Sequence, residues 1–203
     1  MSDGFEDALA RALAARPGRA AGDIAGRAAA VLIPVVGDER ESLVFTVRTE
    51  TLSSHRGQIS FPGGSIDDSD PSPEAAALRE AHEEIDLDPG AVTVLGRLDS
   101  IETYVSGYVV TPVVGWLARR PRLAPNPAEV AEVLEVPVAD LSEATRSDAG
   151  FSYGGRTYPT EAWVWNDHVI WGVTARLLRM FLSLLAEAGL GEAPAELPAS
   201  ARW

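Results

Sequence analysis

Three glutamates, Glu80, Glu83 and Glu84, stand at i, i+3 and i+4 directly after Arg79. On a helix this spacing puts all three carboxylates on one face. Like charges so placed cost about 0.2–0.5 kcal/mol per pair, and acids near a helix C-terminus also oppose the helix dipole. A divalent cation reverses that balance, because hard oxygen ligands turn mutual repulsion into coordination. A local rule broken without other reward marks a site. Just upstream, the paired glycines of Phe61-Pro62-Gly63-Gly64 let the backbone approach a ligand closely and present N–H groups to an anion. Together the two features imply metal beside phosphate. The chain has no cysteine, so the metal must be held by oxygen or imidazole, which favours Mg2+ or Mn2+.

These residues resemble the box of the Nudix hydrolases: a glycine, five residues, a glutamate, seven residues, then Arg-Glu, an apolar residue, any residue and Glu-Glu. Arg79-Glu80-Ala81-His82-Glu83-Glu84 supplies the second half, and Gly64 begins the first. The isolated glutamate is missing. Asp70 stands at the spacing counted from Gly64 and Pro71 at the spacing counted back from Arg79, a pattern of one inserted residue. Asp86 replaces the glycine that usually follows Glu-Glu. The resemblance implies metal ligands at Glu80, Glu83 and Glu84, with Arg79 orienting a carboxylate or bracing the loop through charge-assisted hydrogen bonds.

A second signature precedes the box: Thr46-Val47-Arg48-Thr49, Leu52, His55, Gly57-Gln58 and Phe61-Pro62-Gly63-Gly64. It is similar to the coenzyme A pyrophosphatase branch of the family, as are Val110-Thr111-Pro112, Asn126-Pro127-Ala128-Glu129-Val130 and Ile170-Trp171-Gly172-Val173-Thr174-Ala175. The resemblance spans residues 28–185 and implies a curved mixed sheet sandwiched between helices. It also implies hydrolysis of coenzyme A, or a thioester of it, to 3',5'-ADP and 4'-phosphopantetheine. Two other functions compete: a Nudix pyrophosphatase acting on ADP-ribose, NADH or dinucleoside polyphosphates, and a Nudix-fold module that binds a nucleotide without cleaving it.

The expected reaction is attack of water on phosphorus, which needs charge neutralisation, a positioned water and a base. Glu83 and Glu84 are candidates for the base, and Glu102, Glu129 and Glu132 are alternatives; Glu129 and Glu132 are at a helix-like i, i+3 spacing. Arg48, His55 and Arg56 are candidate phosphate contacts beside Gly63 and Gly64, because an acidic protein must concentrate positive charge locally. His55 could equally be a structural hydrogen-bonding residue. His82 points away from the carboxylate face and is left without a role. Tyr104 and Tyr108 flank Val105-Ser106-Gly107, where an aromatic could stack on adenine, while Trp163, Trp165 and Trp171 are expected to pack.

The elements that must carry these residues are legible in outline. Phe5, Leu9 and Leu13 mark an amphipathic N-terminal helix. Residues 28–36 and 42–48 read as a hairpin, and residues 92–98, 108–117 and 162–165 as strands. The carboxylate helix should start at Ser72-Pro73-Glu74, where serine caps, proline suits the first position and glutamate meets the positive end of the dipole, and run to about Ile85. A closing helix over 171–188 is apolar around much of its circumference, so it should be buried on two faces, and a homodimer interface is one expected cover.

The fold class is therefore α+β. At 203 residues the chain suits one domain, divided into an N-terminal helical extension (1–27), a hydrolase domain (28–190) and a mobile tail (191–203). The net charge of -13 opposes nucleic-acid binding. No apolar run reaches the roughly 20 residues that span a bilayer, and residues 1–19 lack the basic-then-apolar order of a secretory signal. A small anionic substrate and a cytoplasmic location are expected.

Overall fold

The computed structural model describes residues 2–20, 26–38, 40–49, 57–103, 107–143, 145–147, 151–153, 156–158 and 162–194. After α1 (Ser2–Ala15) come β1 (Arg27–Val36), β2 (Ser42–Arg48), β3 (Ile59–Ser60), β4 (Gly63–Ser65) and α2 (Pro73–Ile85). Next are β5 (Thr93–Arg97), β6 (Ile101–Glu102), β7 (Tyr108–Leu117), β8 (Val130–Pro137) and α3 (Val138–Glu143). The chain continues through β9 (Thr145–Ser147), β10 (Phe151–Tyr153), β11 (Arg156–Tyr158), β12 (Ala162–Trp165), β13 (His168–Trp171) and α4 (Gly172–Glu187).

The central strand is β1, which pairs in parallel with β7 along its whole length. Its side chains alternate between two cores: Ile33 and Val35 join the core that contains α1 and α4, while Ala30, Leu32 and Val36 join the core beneath α2. Burial on both faces is what a near-continuous apolar run in a helix-covered sheet requires. The result is the expected mixed sheet between helical layers.

The hairpin between β1 and β2 holds for only two pairs, Val35↔Leu43 and Val36↔Ser42. The strands then part. β3 pairs with β2 at Thr46↔Ser60 and Val47↔Ile59, and β4 pairs with β1 at Ala29↔Ser65, Ala30↔Gly64 and Val31↔Gly63. Phe61-Pro62 therefore crosses the opening of a strand fork, and the Leu32 N–H donates to the Pro62 carbonyl there at 2.8 Å. Phe61 stacks on Phe45, with ring centroids 4.6 Å apart, and anchors the crossing in the core.

The helix-like spacing of Glu129 and Glu132 does not make a helix. Val130–Pro137 is a strand paired with β2, with a register irregularity at Val47/Arg48. Its β-branched residues Val130, Val133 and Val136 fit a pleated surface, and two residues three apart on an extended chain face opposite ways. Trp171, expected to open the closing helix, instead ends β13, which pairs with β12, and the helix starts at Gly172.

The closing helix is buried on two faces, as its composition implies, and one chain supplies the cover. Leu177, Leu178, Phe181, Leu182, Leu184 and Leu185 join the same core as Leu9 and Leu13 of α1 and Trp163 of β12. Most of the apolar residues that suggested a dimer interface are thus buried within one copy, while Val173 is exposed and Met180 half-buried. The N-terminal segment is tied in as well: the Gly18 N–H donates to Arg97 O at 3.1 Å, and the Arg19 N–H to Asp99 Oδ1 at 2.8 Å. No helix among the described residues is long and apolar enough to cross a membrane.

Candidate active site

Local sequence fixes the carboxylate helix. Ser72 Oγ accepts the Ala75 N–H at 3.3 Å, Pro73 opens the first turn, and the helix ends where Asp86 takes a left-handed conformation at φ 55°. Ala76, Ala77, Ala81 and Ile85 form the buried stripe that seats α2 on the sheet. That stripe rotates Glu80 and Glu84 toward the strand fork and leaves Glu83 53% exposed.

The fork and the helix meet through the glycines. The Gly63 N–H donates to Glu84 Oε2 at 3.2 Å. A Cβ on Gly64 would lie about 2.5 Å from the Glu80 carboxylate, so only glycine lets that carboxylate lie against the backbone. The pair that looked like an anion cradle thus has one N–H aimed at a carboxylate of the box helix.

Arg79 organises the rest. Its Nε and Nη2 donate to the two oxygens of Asp70 at 3.1 and 3.0 Å, Nη1 donates to Glu83 Oε2 at 3.0 Å, and Nη2 also donates to Ser65 O at 3.0 Å. Nη1 lies 3.1 Å from Glu80 Oε1. A planar fork spanning three acids and a strand carbonyl is arginine's geometry, not lysine's. Asp70, with its side chain 6% exposed, stands at the spacing from Gly64 where the box has its isolated glutamate, and both its oxygens accept from Arg79. The Arg79 hydrogen bonds hold its carboxyl below the ordinary range. The clue in the sequence was its spacing from Gly64; the inserted residue concealed it.

Glu84 is the most unusual acid. Its side chain is 3% exposed, and burial is the main cause that pushes it up to about 7, opposed by the Gly63 N–H and Arg48, with Glu80 and Glu129 adding repulsion. Arg48 Nη1 lies 3.8 Å from Glu84 Oε1. Burial also raises Glu80, against the pull of Arg79 and with Glu83 and Glu129 pushing the same way as burial. Glu129, from the turn before β8, is therefore close enough for its charge to act on both.

The other residues singled out in the sequence fall outside this cluster or outside the described residues. Glu132 is exposed on β8, and Glu102 is exposed on β6, where its carbonyl faces Arg176. His82 is exposed on α2 with Nδ1 3.8 Å from Asp86. His55, Arg56 and Tyr104 lie outside the described residues, as does the tail from 195. The Tyr108 ring carries the Arg27 guanidinium 4.3 Å from its centroid. Trp163 is a core residue, and the Trp165 indole N–H donates to Asp140 at 3.1 Å.

Among the described residues no group of three or more acidic or imidazole side chains is placed so that it could hold a metal ion. The donor set nevertheless fits a hard divalent cation. Glu80 and Glu84 are desolvated and repel each other and Glu129; Arg79 and Arg48 offset part of that repulsion, and a divalent cation held by the carboxylate oxygens would offset more.

A pH dependence follows for the metal-free protein. Glu84 stays protonated in the fold while ionised in the unfolded chain between 4.5 and about 7, so the fold binds more protons there and stability falls as pH rises through that window. Thermal melts in chelator across this range should show the decline, and Glu84→Gln should flatten it. An unchanged slope in that variant would exclude Glu84 as its source.

A profile of the NUDIX domain matches residues 26–153, which include the fork, α2 and Glu129. The chain is 40% identical over 186 residues to a protein of Citrobacter koseri named as an uncharacterized Nudix hydrolase, NudL, covering 86% of this chain and 91% of that one. The like-named protein of Photorhabdus laumondii is 41% identical over 153 residues, covering 75% of this chain and 81% of the relative. A solved MutT/nudix family protein from Enterococcus faecalis aligns over 80% of this chain and 62% of its own with a TM-score of 0.53 and 12% identity, a likeness of fold alone.

Proposed function

Because this chain belongs to the Nudix hydrolase family, whose members use divalent metal ions to cut pyrophosphate bonds in nucleotide-type compounds, we propose that it hydrolyses coenzyme A or a derivative of it. The products would be 3',5'-ADP and 4'-phosphopantetheine, or its acylated form, with Mg2+ as cofactor and the cytoplasm as location. One observation carries the reading: the upstream signature and the box meet in one place. Arg48 pairs with Glu84, and Gly63 and Gly64 lie against Glu84 and Glu80. Arg48 Nε is buried and has no hydrogen-bond partner among the described residues. Such a donor is costly to leave unmet, and a phosphate oxygen of the substrate would satisfy it. His55 and Arg56, on the chain between Arg48 and Gly57, are assigned the remaining phosphates.

Glu80, Glu83 and Glu84 would hold the cation, which when bound neutralises the pyrophosphate and acidifies water. Arg79 keeps Glu80 and Glu83 in register with Asp70 and with the strand at Ser65. The Gly63 N–H fixes Glu84 Oε2. Glu129 is assigned the base that takes the proton from the attacking water: it comes from a turn and not from α2, and its charge reaches both Glu80 and Glu84. Water attacks phosphorus, the bond to the bridging oxygen breaks, and the proton ends on the Glu129 carboxylate; no covalent enzyme intermediate forms.

Product analysis tests this. Purified protein with Mg2+ is incubated with coenzyme A, ADP-ribose and NADH in parallel. Release of 3',5'-ADP, with coenzyme A consumed fastest, is the expected result. Cleavage of the other two alone would keep the chemistry and reject the coenzyme A assignment.

A further inference from the structure

The segment that leads into β8 crosses the C-terminal end of α2 and supplies it with backbone donors. The Ala124 N–H donates to Ile85 O at 2.9 Å, and the Asn126 N–H to Glu84 O at 2.8 Å. Carbonyls in the last turn of a helix have no partner within the helix, so these two bonds cap α2 at the residue that carries the buried carboxylate. From Asn126 the chain turns at once. Its carbonyl accepts the N–H groups of Glu129 at 3.0 Å and Val130 at 2.8 Å, and its side-chain Oδ1 accepts the Ala128 N–H at 3.2 Å. Pro127 has no N–H and a fixed φ, so the first donor that Oδ1 can reach is that of Ala128, which is the arrangement of an Asx turn. The Thr49 N–H donates to Glu129 O at 2.9 Å from the other side.

We propose that Asn126 is a positioning residue for the hydrolysis. Its N–H holds the backbone of Glu84, while its side chain and carbonyl turn the next three residues and so set where Glu129 leaves the turn relative to the end of α2. Asn126 touches no substrate in this scheme; it acts through Glu129, and the role rests on the reading of these carboxylates as the reacting site. The distance between two acids on separate elements is otherwise set only by how β8 pairs with β2, and the register irregularity at Val47/Arg48 occurs at that point. A turn tied to the helix at one end and to the strand after Arg48 at the other removes that freedom.

Asn126→Ala deletes the Oδ1 acceptor and leaves the backbone donors and acceptors in place, while Asn126→Ser keeps a side-chain acceptor suited to the same turn. Turnover of coenzyme A and of ADP-ribose with Mg2+ is measured for both, for Glu129→Gln, for the double variant Asn126→Ala with Glu129→Gln, and for Glu84→Gln. Asn126→Ala is expected to lower kcat about tenfold to hundredfold, the scale of a misplaced catalytic group, with KM unchanged and Asn126→Ser restoring most of the loss. The double variant should be no slower than Glu129→Gln alone, because a group that acts through Glu129 has nothing left to position. Losses that multiply in the double variant, or an Asn126→Ala loss beside a fully active Glu129→Gln, would overturn the role. Full activity in Glu84→Gln would be a different failure, removing the carboxylate site itself and the positioning role with it.

Discussion

Glu80→Gln is expected to lower kcat by roughly 10^3-fold, about 4 kcal/mol of transition-state stabilisation, without harming the fold. The two halves of that expectation have separate causes. Glu80 is one of two desolvated acids in the strand fork, and burial and the like charges of Glu83 and Glu129 already disfavour its ionised form. Removing its charge therefore removes repulsion, and glutamine is close enough in shape to keep an oxygen 3.1 Å from Arg79 Nη1. What disappears is an anionic oxygen ligand, and a neutral amide oxygen holds a hard cation far less tightly. Steady-state kinetics at saturating Mg2+ beside a melt in chelator would separate the two effects. Wild-type turnover would sink the assignment of the metal site; a collapsed melting temperature would make Glu80 structural.

Arg79→Lys should cost about 10- to 100-fold, appearing as a raised Mg2+ requirement as well as a lower rate, the range seen when a residue that orients metal ligands is replaced. Charge is conserved, so the loss measures geometry. The guanidinium serves both oxygens of Asp70, one oxygen of Glu83 and the Ser65 carbonyl at the same time. An ammonium cannot span these positions from one point. Asp70→Asn should reproduce part of the defect, because it keeps the shape while weakening the charge-assisted bonds that orient the fork. A lysine variant with an unchanged Mg2+ titration would show that Arg79 contributes charge alone.

How much of this was legible beforehand depends on the range of the interaction. The α2 boundaries, the helical pairing of Glu80 with Glu84 and the strand at Tyr108–Leu117 were readable, because caps, i, i+4 neighbours and β-branched runs are set by residues a few positions apart. The segment around Glu129 was misread for the same reason in reverse. A three-residue spacing looks helical by itself, and only pairing with β2, 82 or more residues earlier at Val47↔Glu132 and Arg48↔Val130, makes it a strand.

The sequence by itself determined the chemistry: three repelling carboxylates after an arginine, a glycine pair upstream and no thiol. Only the tertiary structure decided how those parts divide the work. It put Asp70 in the arginine fork, turned the Gly63 N–H onto Glu84, left Glu83 toward solvent, set the half-buried Arg48 beside Glu84 and brought Glu129 within electrostatic reach. Each of those outcomes depends on where β1 and β2 part and on how α2 seats its alanine stripe, and neither is encoded within one stretch of chain. Spacing along a helix survives in isolation; the burial that desolvates an acid exists only once distant strands have closed around it.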